Sequence, residues 1–270
     1  MLIKPDPTYA DHFVETPHGR MFARAWTPFE PARGAPIVLI HDSLGCVELW
    51  RDFPEKLSAS TQRQIIAYDR LGFGRSDPRS DALRASFVRE EAQIYMPYLL
   101  GYFHLEQFVP FGHSVGGGMA VCCGADLASA CVAVVTESAQ MFAEDRTLHA
   151  IAAAKLEYAK SERFEKLQRY HGAKTSWVLR AWTDTWLSAE FASFSVRQEL
   201  RTLQCPLLAL HGELDEFGSL EHLRVARDLG GGAVTTRELA GLGHVPHREA
   251  PQLVLQAVTQ FIANICCEEQ

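Results

Sequence analysis

Short apolar runs alternate with helical segments along most of this chain, and that alternation limits its fold more than any other feature. Seven runs indicate strands: 22–26, 37–40, 64–68, 108–111, 132–135, 207–210 and 234–239. Most are continuously apolar, as in strands buried on both faces of a parallel sheet, whereas the first alternates as an edge strand does. Helical patterns such as Ser86 to Leu100 and Pro251 to Ile265 separate them. The pattern predicts a doubly wound α/β sheet, and Pro97 should bend or end its helix.

One region, residues 137–203, contains no strand pattern, only long amphipathic stretches followed by an aromatic-rich segment. We therefore predict a core domain of residues 1–136 and 204–270 and a helical lid inserted at 137–203. The large apolar face of the lid needs a partner surface, and we expect two or three of its aromatic rings to line a substrate pocket beneath it. The predicted pocket residues are Leu44, Met141, Phe142, Trp177, Trp182, Trp186 and Val245.

The size and charge of the chain exclude several classes of function. With 270 residues, 47% of them hydrophobic, the chain can bury one full core but not several independent ones. A net charge of -7 without a run of basic residues argues against nucleic acid or an anionic membrane as a partner. The start, Met1 to Pro7, lacks the apolar core of a signal peptide. We expect a cytoplasmic protein that acts on a small molecule, with its cysteines reduced.

The segment Gly112-His113-Ser114-Val115-Gly116 follows an apolar run and precedes a run of small residues, so it indicates strand, sharp turn and helix. Only small residues two positions either side of the serine let strand and helix approach closely enough to hold its strained backbone. Ser114 would then lie at a helix N-terminus, whose free N–H groups favour developing negative charge. This is the setting of a nucleophile.

A nucleophilic serine needs a base, an acid that orients the base, and donors for an oxyanion. Asp215 comes directly after the apolar run 207–210, and His244 follows the last run in a glycine-containing loop. The order Ser114, Asp215, His244 is a known chain order for such triads. The predicted oxyanion donors are the backbone N–H groups of Ser43 and Val115.

Two alternatives stay open around this triad. Glu137 follows another apolar run and competes with Asp215 for the role of the acid. His247 competes with His244 as the base, although we expect it to face solvent. Asp42 adds a complication, because it places a carboxyl group close to a site that should stabilise an anion.

Three motifs together resemble the α/β-hydrolase superfamily over nearly the whole chain: the turn at Ser114, the loop 69–76 (DRLGFGRS), and Gly243-His244-Val245-Pro246 with Glu249 and Pro251. The resemblance implies a mostly parallel eight-stranded sheet flanked by helices, with an antiparallel edge, six parallel strands and an inserted helical lid. The chain departs from the family at His41-Asp42, where His-Gly is usual. A serine nucleophile argues against epoxide hydrolases and haloalkane dehalogenases, which use aspartate.

By this resemblance we expect a serine hydrolase that cleaves a carboxylic ester of a small to medium apolar substrate through an acyl-enzyme. A carbon–carbon bond hydrolase or a lactonase would use the same triad, although the former commonly carry asparagine and tryptophan at the positions of His113 and Val245. A ligand receptor or a cofactor-free dioxygenase is the alternative of another class. We expect no metal, no cofactor and no nucleic-acid or membrane partner, while an apolar edge on the lid would allow a homodimer.

Overall fold

The computed structural model describes residues 8–158 and 161–268, without the side chains of 161 and 266–268. Predictions that concern Met1 to Pro7 and the thiols of Cys266 and Cys267 therefore lie outside the described residues. The other five cysteines are free thiols. The strands are β1 (Thr8–Val14), β2 (Met21–Thr27), β3 (Ile37–Ile40), β4 (Ile65–Tyr68), β5 (Val109–His113), β6 (Val134–Glu137), β7 (Leu207–Gly212) and β8 (Val234–Leu239).

These strands form a single eight-stranded sheet in the order β1-β2-β4-β3-β5-β6-β7-β8. The pairs β1·β2 and β2·β4 are antiparallel, and β3 to β8 run parallel to one another. The predicted fold, with its antiparallel edge and six parallel strands, is therefore confirmed. Strand β1 is absent from the seven predicted runs because most of its side chains are exposed, so it carries no continuous apolar run.

Helices cover both faces of the sheet. They are α1 (Phe53–Thr61), α2 (Phe87–Glu90), α3 (Met96–Tyr102), α4 (Val115–Asp126), α5 (Asp145–Tyr158), α6 (Ser161–His171), α7 (Thr175–Trp186), α8 (Arg197–Thr202), α9 (Glu221–Leu229), α10 (Pro246–Glu249) and α11 (Pro251–Glu268). Side chains of α1 and α11, among them Leu57 and Val258, pack in the core on one face. Side chains of α2 to α4, α8 and α9, among them Met119, fill the core on the other. The sheet is thus the middle of three layers.

The helix that contains Pro97 changes its winding instead of ending. A π-helical turn at Glu91–Tyr95 separates α2 from α3, and Pro97 is the second residue of α3. Proline has no N–H to donate to the carbonyl of residue 93, and its ring would collide with that carbonyl in a regular α-helix. The wide turn makes room for the ring, so the predicted disturbance at Pro97 is present.

Helices α5 to α8 lie between β6 and β7, in the segment predicted to lack strands, although Glu137 itself still belongs to β6. This helical segment covers the loops at the carboxyl ends of the parallel strands. The ring nitrogen Nε2 of His171 lies 3.0 Å from the carbonyl of Leu44, and the ring of Trp177 packs on Gly72 so closely that a Cβ there would collide with it. Its division from the core as a separate lid stays a prediction. Among the described helices, none is both long and apolar enough to cross a membrane.

Candidate active site

Ser114 occupies the sharp turn between β5 and α4. Its backbone angles are φ 58° and ψ -124°, a conformation that costs energy for any residue except glycine. A Cβ on Gly112 would overlap the carbonyl of Gly116, and a Cβ on Gly116 would overlap the carbonyl of Ile40. The two glycines therefore permit the close contact that fixes the strained serine, as the spacing predicted.

The structure brings Ser114, Asp215 and His244 together. His244 Nε2 lies 3.0 Å from Ser114 Oγ, and His244 Nδ1 lies 2.8 Å from both carboxylate oxygens of Asp215. An ionised carboxylate only accepts hydrogen bonds, so Nδ1 carries the ring proton and Nε2 is free to accept the proton of the serine hydroxyl. The arrangement can move a proton from the serine to the imidazole.

The carboxylate of Asp215 is held in place by the backbone of the loop that follows it. Its Oδ1 accepts the backbone N–H groups of Phe217 and Gly218 at 2.8 and 3.0 Å. Burial alone would raise the pKa of Asp215, but the hydrogen bond and charge of His244 outweigh burial and lower that pKa to about 2. His211, 3.2 Å away, is neutral because burial lowers its pKa to about 4. Asp215 is therefore a fixed negative charge next to the imidazole of His244.

The competing residues Glu137 and His247 form a pair of their own. His247 Nδ1 lies 2.6 Å from Glu137 Oε2, and neither side chain is more than 2% exposed. The prediction that His247 faces solvent is wrong, because the chain turns into α10 directly after Val245 and directs this ring onto Trp50, 4.7 Å away. Burial raises and His247 lowers the pKa of Glu137, with a net lowering. Asp215, and not Glu137, is the carboxylate that contacts His244.

The predicted oxyanion donors belong to the residue that follows the serine and to the loop that follows β3. Val115 is the first residue of α4, where helix N–H groups have no acceptor within the helix, and Ser43 lines the same cavity as Ser114. The carboxylate of Asp42 is occupied elsewhere: Oδ1 accepts the N–H of Leu44 at 2.7 Å, and Oδ2 lies 3.3 Å from Nδ1 of His113. Although burial raises the pKa of Asp42, the His113 contact holds it far below its usual range.

A cavity of about 550 Å³ opens above Ser114 and His244. Three of the seven predicted pocket residues line it: Leu44, Trp182 and Val245. Further lining residues that the sequence did not single out are Leu49, Gln140, Ala154, Tyr158, Arg163, Lys166, Leu167, Tyr170, Phe217 and Arg248. The lining is thus amphipathic, with apolar walls and three basic side chains, and not uniformly apolar as expected.

The other four predicted pocket residues, Met141, Phe142, Trp177 and Trp186, lie elsewhere, and their prediction was wrong. Trp186 is buried against Phe191 and Phe194, and Trp177 packs edge-on against Phe73. Met141 is fully buried and donates its N–H to His222, against which the ring of Phe142 packs at an angle of 41°. The aromatic content of a helix does not tell which of its turns faces the cavity.

Residues 37–257 match the alpha/beta hydrolase family, which is most of the chain. The chain belongs to this family. A proline iminopeptidase of Lactiplantibacillus plantarum is 30% identical over 146 residues, 51% of this chain and 49% of that relative, so the match spans about half of the relative's length.

Solved structures of the family share the fold at low identity. A membrane phospholipase A described as a bacterial virulence factor superposes with a TM-score of 0.76 at 18% identity, covering 95% of this chain and 86% of its own. The naproxen esterase of Bacillus subtilis gives 0.71 at 17% identity, with 94% and 92% covered. The resemblance drawn from the three motifs is therefore confirmed.

Two features of this family member were not found by sequence reasoning. The side-chain oxygen of Gln140 lies 3.2 Å from Ser114 Oγ and competes with His244 Nε2 for the single hydroxyl proton; its only signal in the sequence was a position three residues after β6. Among the described residues, His113, Glu137 and His247 form one group whose donor atoms lie within 4.8 Å of one another. Protein partners already bind both nitrogens of His113 and one oxygen of Glu137, so we assign no metal ion there.

Proposed function

We propose that this protein is a serine hydrolase that cleaves carboxylic esters of small to medium substrates through an acyl-enzyme. The observation that carries the proposal is the hydrogen-bonded chain Ser114–His244–Asp215 in the wall of a 550 Å³ cavity. Membership of a hydrolase family supports hydrolysis in general. A phospholipase and an esterase with the same fold support esters as the substrate class.

In this mechanism His244 Nε2 takes the proton of Ser114 as the serine oxygen attacks the ester carbonyl carbon. The N–H groups of Ser43 and Val115 bind the resulting oxyanion, each worth about 3 kcal/mol in the transition state. His244 then protonates the departing alcohol. Water, deprotonated by His244, attacks the acyl group and restores the serine. Throughout, the charge of Asp215 stabilises the imidazolium form of His244.

The cavity sets the size and character of the substrate. Its 550 Å³ lie within the range of roughly 300–1,000 Å³ typical of small-molecule sites. Trp182 and Phe217 offer apolar surface for an acyl or alcohol group. The basic side chains in the lining suit a polar or anionic group of the substrate.

The test combines covalent labelling with turnover. Wild type and Ser114→Ala are treated with a fluorophosphonate and assayed on p-nitrophenyl esters from acetyl to dodecanoyl. We expect labelling and hydrolysis in wild type only, with the highest kcat/KM at a short or medium acyl chain. Ser60→Ala is the matched control, because that serine is exposed on α1 and bonds only within its helix. Absence of labelling and of Ser114-dependent turnover would favour a ligand receptor or a cofactor-free dioxygenase.

A second candidate, removal of an amino-terminal proline, rests on the 30% identity to a proline iminopeptidase over 146 residues. The same triad cleaves amides by the same steps. Proline p-nitroanilide is therefore assayed in parallel with the esters, together with a lactone and a vinylogous 1,5-diketone acid of the kind that carbon–carbon hydrolases cleave. The substrate with the largest Ser114-dependent kcat/KM decides among these activities.

A further inference from the structure

The side chains of Asp42 and His113 connect the three chain segments that carry the candidate site. His113 belongs to β5, directly before the nucleophile, and its Nε2 lies 2.8 Å from the backbone carbonyl of His244. Its Nδ1 lies 3.3 Å from Asp42 Oδ2. The other oxygen of Asp42 accepts the N–H of Leu44 and so fixes the loop that contains Ser43. One side-chain pair, in which His113 is buried and Asp42 is half-buried, thus joins the base loop, the serine turn and the oxyanion loop.

The hydrogen-bonding partners determine the protonation of His113. A carbonyl only accepts, so Nε2 carries a proton, and an ionised carboxylate only accepts, so Nδ1 carries another. These contacts favour the imidazolium form of His113 as the partner of the Asp42 carboxylate 3.3 Å away. The titratable and charged groups around this pair include His41, Arg70, Glu137, His244, His247 and Arg248. Burial lowers the pKa of His113, but Asp42 and then Glu137 outweigh burial and raise it.

The pair involves the position at which this chain departs from its family, because Asp42 stands where glycine is usual. Glycine has no side chain to bond with His113 or with the N–H of Leu44. The loop that follows β3 is therefore tied to the serine turn in this chain by a contact that glycine cannot make. This contact matters for the oxyanion site, because a displacement of a reacting or binding group by 1 Å can reduce the rate about 10²-fold.

We propose that Asp42 and His113 are positioning residues for ester hydrolysis, holding the His244 backbone and the Ser43 loop in the arrangement that the transition state requires. Neither side chain transfers a proton in this role. The inference rests on the proposed serine-hydrolase function. It assigns to Asp42 the alignment of the oxyanion site and not the repulsion of an anion.

The test compares Asp42→Ala with Asp42→Asn. Alanine removes both contacts, so we expect kcat to fall about 10²-fold while KM stays nearly unchanged. Asparagine can still accept the N–H of Leu44 and can donate to a neutral His113, so it should recover about tenfold of that loss. A residue that only stabilises the fold would lower the melting temperature without this split between kcat and KM.

A double-mutant cycle asks whether the two residues act as a unit. We expect Asp42→Ala combined with His113→Phe to lose no more kcat than the more damaged single variant, since either change breaks the same tie. Asp228→Asn is the matched control, because it neutralises an exposed aspartate paired with Arg227 far from the cavity. Full activity of Asp42→Ala, or strictly additive losses in the double variant, would overturn the proposal.

Nitrogen-15 NMR of the histidine rings separates this proposal from the proposed function. Wild type should show His113 protonated at both nitrogens at neutral pH, and Asp42→Asn should show it protonated at Nε2 alone. Asp42→Ala should also shift the Nδ1–H signal of His244. If Ser114-dependent turnover is absent, the hydrolase proposal fails, and these signals still decide whether the pair orders the site. A singly protonated His113 in wild type, or a His244 signal that does not shift in Asp42→Ala, would contradict the positioning role of Asp42 and His113.

Discussion

Two histidine–carboxylate pairs lie on either side of His113, whose ring is 5.1 Å from that of His244 and 5.1 Å from that of His247. Both pairs have a short contact through Nδ1, at 2.8 Å to Asp215 and 2.6 Å to Glu137. They differ in what the second ring nitrogen reaches. His244 is 11% exposed and its Nε2 contacts Ser114, whereas His247 is 2% exposed and packs on Trp50.

The comparison shows that an imidazole beside a carboxylate is not by itself a catalytic pair. Asp215 and His244 end at a cavity wall where a substrate carbonyl can reach the serine. Glu137 and His247 end in packed side chains, where a buried pair contributes to a unique arrangement of the core. Substitutions in the Asp215–His244 pair should therefore reduce mainly activity, and substitutions in the Glu137–His247 pair should reduce mainly stability.

The largest expected effect is on turnover. Asp215→Asn keeps the shape but favours the wrong ring tautomer of His244, so we expect kcat on p-nitrophenyl acetate to fall about 10⁴-fold. Glu137→Gln should lower it by less than about tenfold, because the Glu137 side chain contacts His247 and neither His244 nor Ser114, and the backbone carbonyl that accepts the Ser114 N–H is retained. Steady-state kinetics of the two variants at neutral pH make the measurement. If Glu137→Gln abolishes turnover and Asp215→Asn does not, this assignment of roles to the two pairs is wrong.

The next effect is on stability. Here the loss of Glu137 should be more harmful than the loss of Asp215. Glu137→Ala leaves His247 buried without its partner and should reduce the free energy of unfolding by about 3 kcal/mol. Asp215→Asn should cost less, because the asparagine oxygen can still accept the N–H groups of Phe217 and Gly218 and the partner His244 faces the cavity, where water can replace the lost contact. Urea denaturation followed by circular dichroism compares the two variants. Equal losses would remove the structural role assigned to the buried pair.

The sequence predicted the parts of the fold that depend on local pattern. Short runs, most of them continuously apolar, located seven strands, and Gly112 and Gly116 predicted the strained turn at Ser114. Strand β1 was missed because an exposed edge strand needs no apolar run. The carboxylate alternatives stayed open because Asp215 follows one parallel strand and Glu137 ends another, and only three-dimensional contact tells which one reaches His244.

The site could be predicted as a set of residues but not as a network. Ser114, Asp215 and His244 have sequence signals, whereas the contact of Asp42 with His113 joins residues 71 positions apart. The pocket was predicted least well. Trp182 and Trp186 are four residues apart on one helix, yet only Trp182 lines the cavity, because Phe191 and Phe194 cover Trp186.

A smaller effect is expected on the free energy of unfolding at acidic pH. The pKa of Asp215 is lowered from 3.8 to about 2, so its contribution to stability is fully present above pH 3.8 and is lost as the pH falls through 2. Between these values wild type should lose about 2 kcal/mol more than Asp215→Asn. Urea titration of both proteins over this pH range measures their free energies of unfolding and shows whether wild type loses more stability than the variant. Parallel curves would mean that His244 does not hold Asp215 ionised.

The smallest expected effect is on KM and distinguishes two tryptophans of α7. It tests which of them contacts a substrate bound next to Asp215 and His244. Trp182 lines the cavity, and Trp182→Ala should raise KM for medium-chain esters by about tenfold through lost apolar contact. Trp177→Ala is the matched control, because that ring packs on Gly72 and Phe73 outside the cavity. Its KM should stay near the wild-type value for every chain length. A larger change for Trp177 than for Trp182 would place the substrate on the other face of α7.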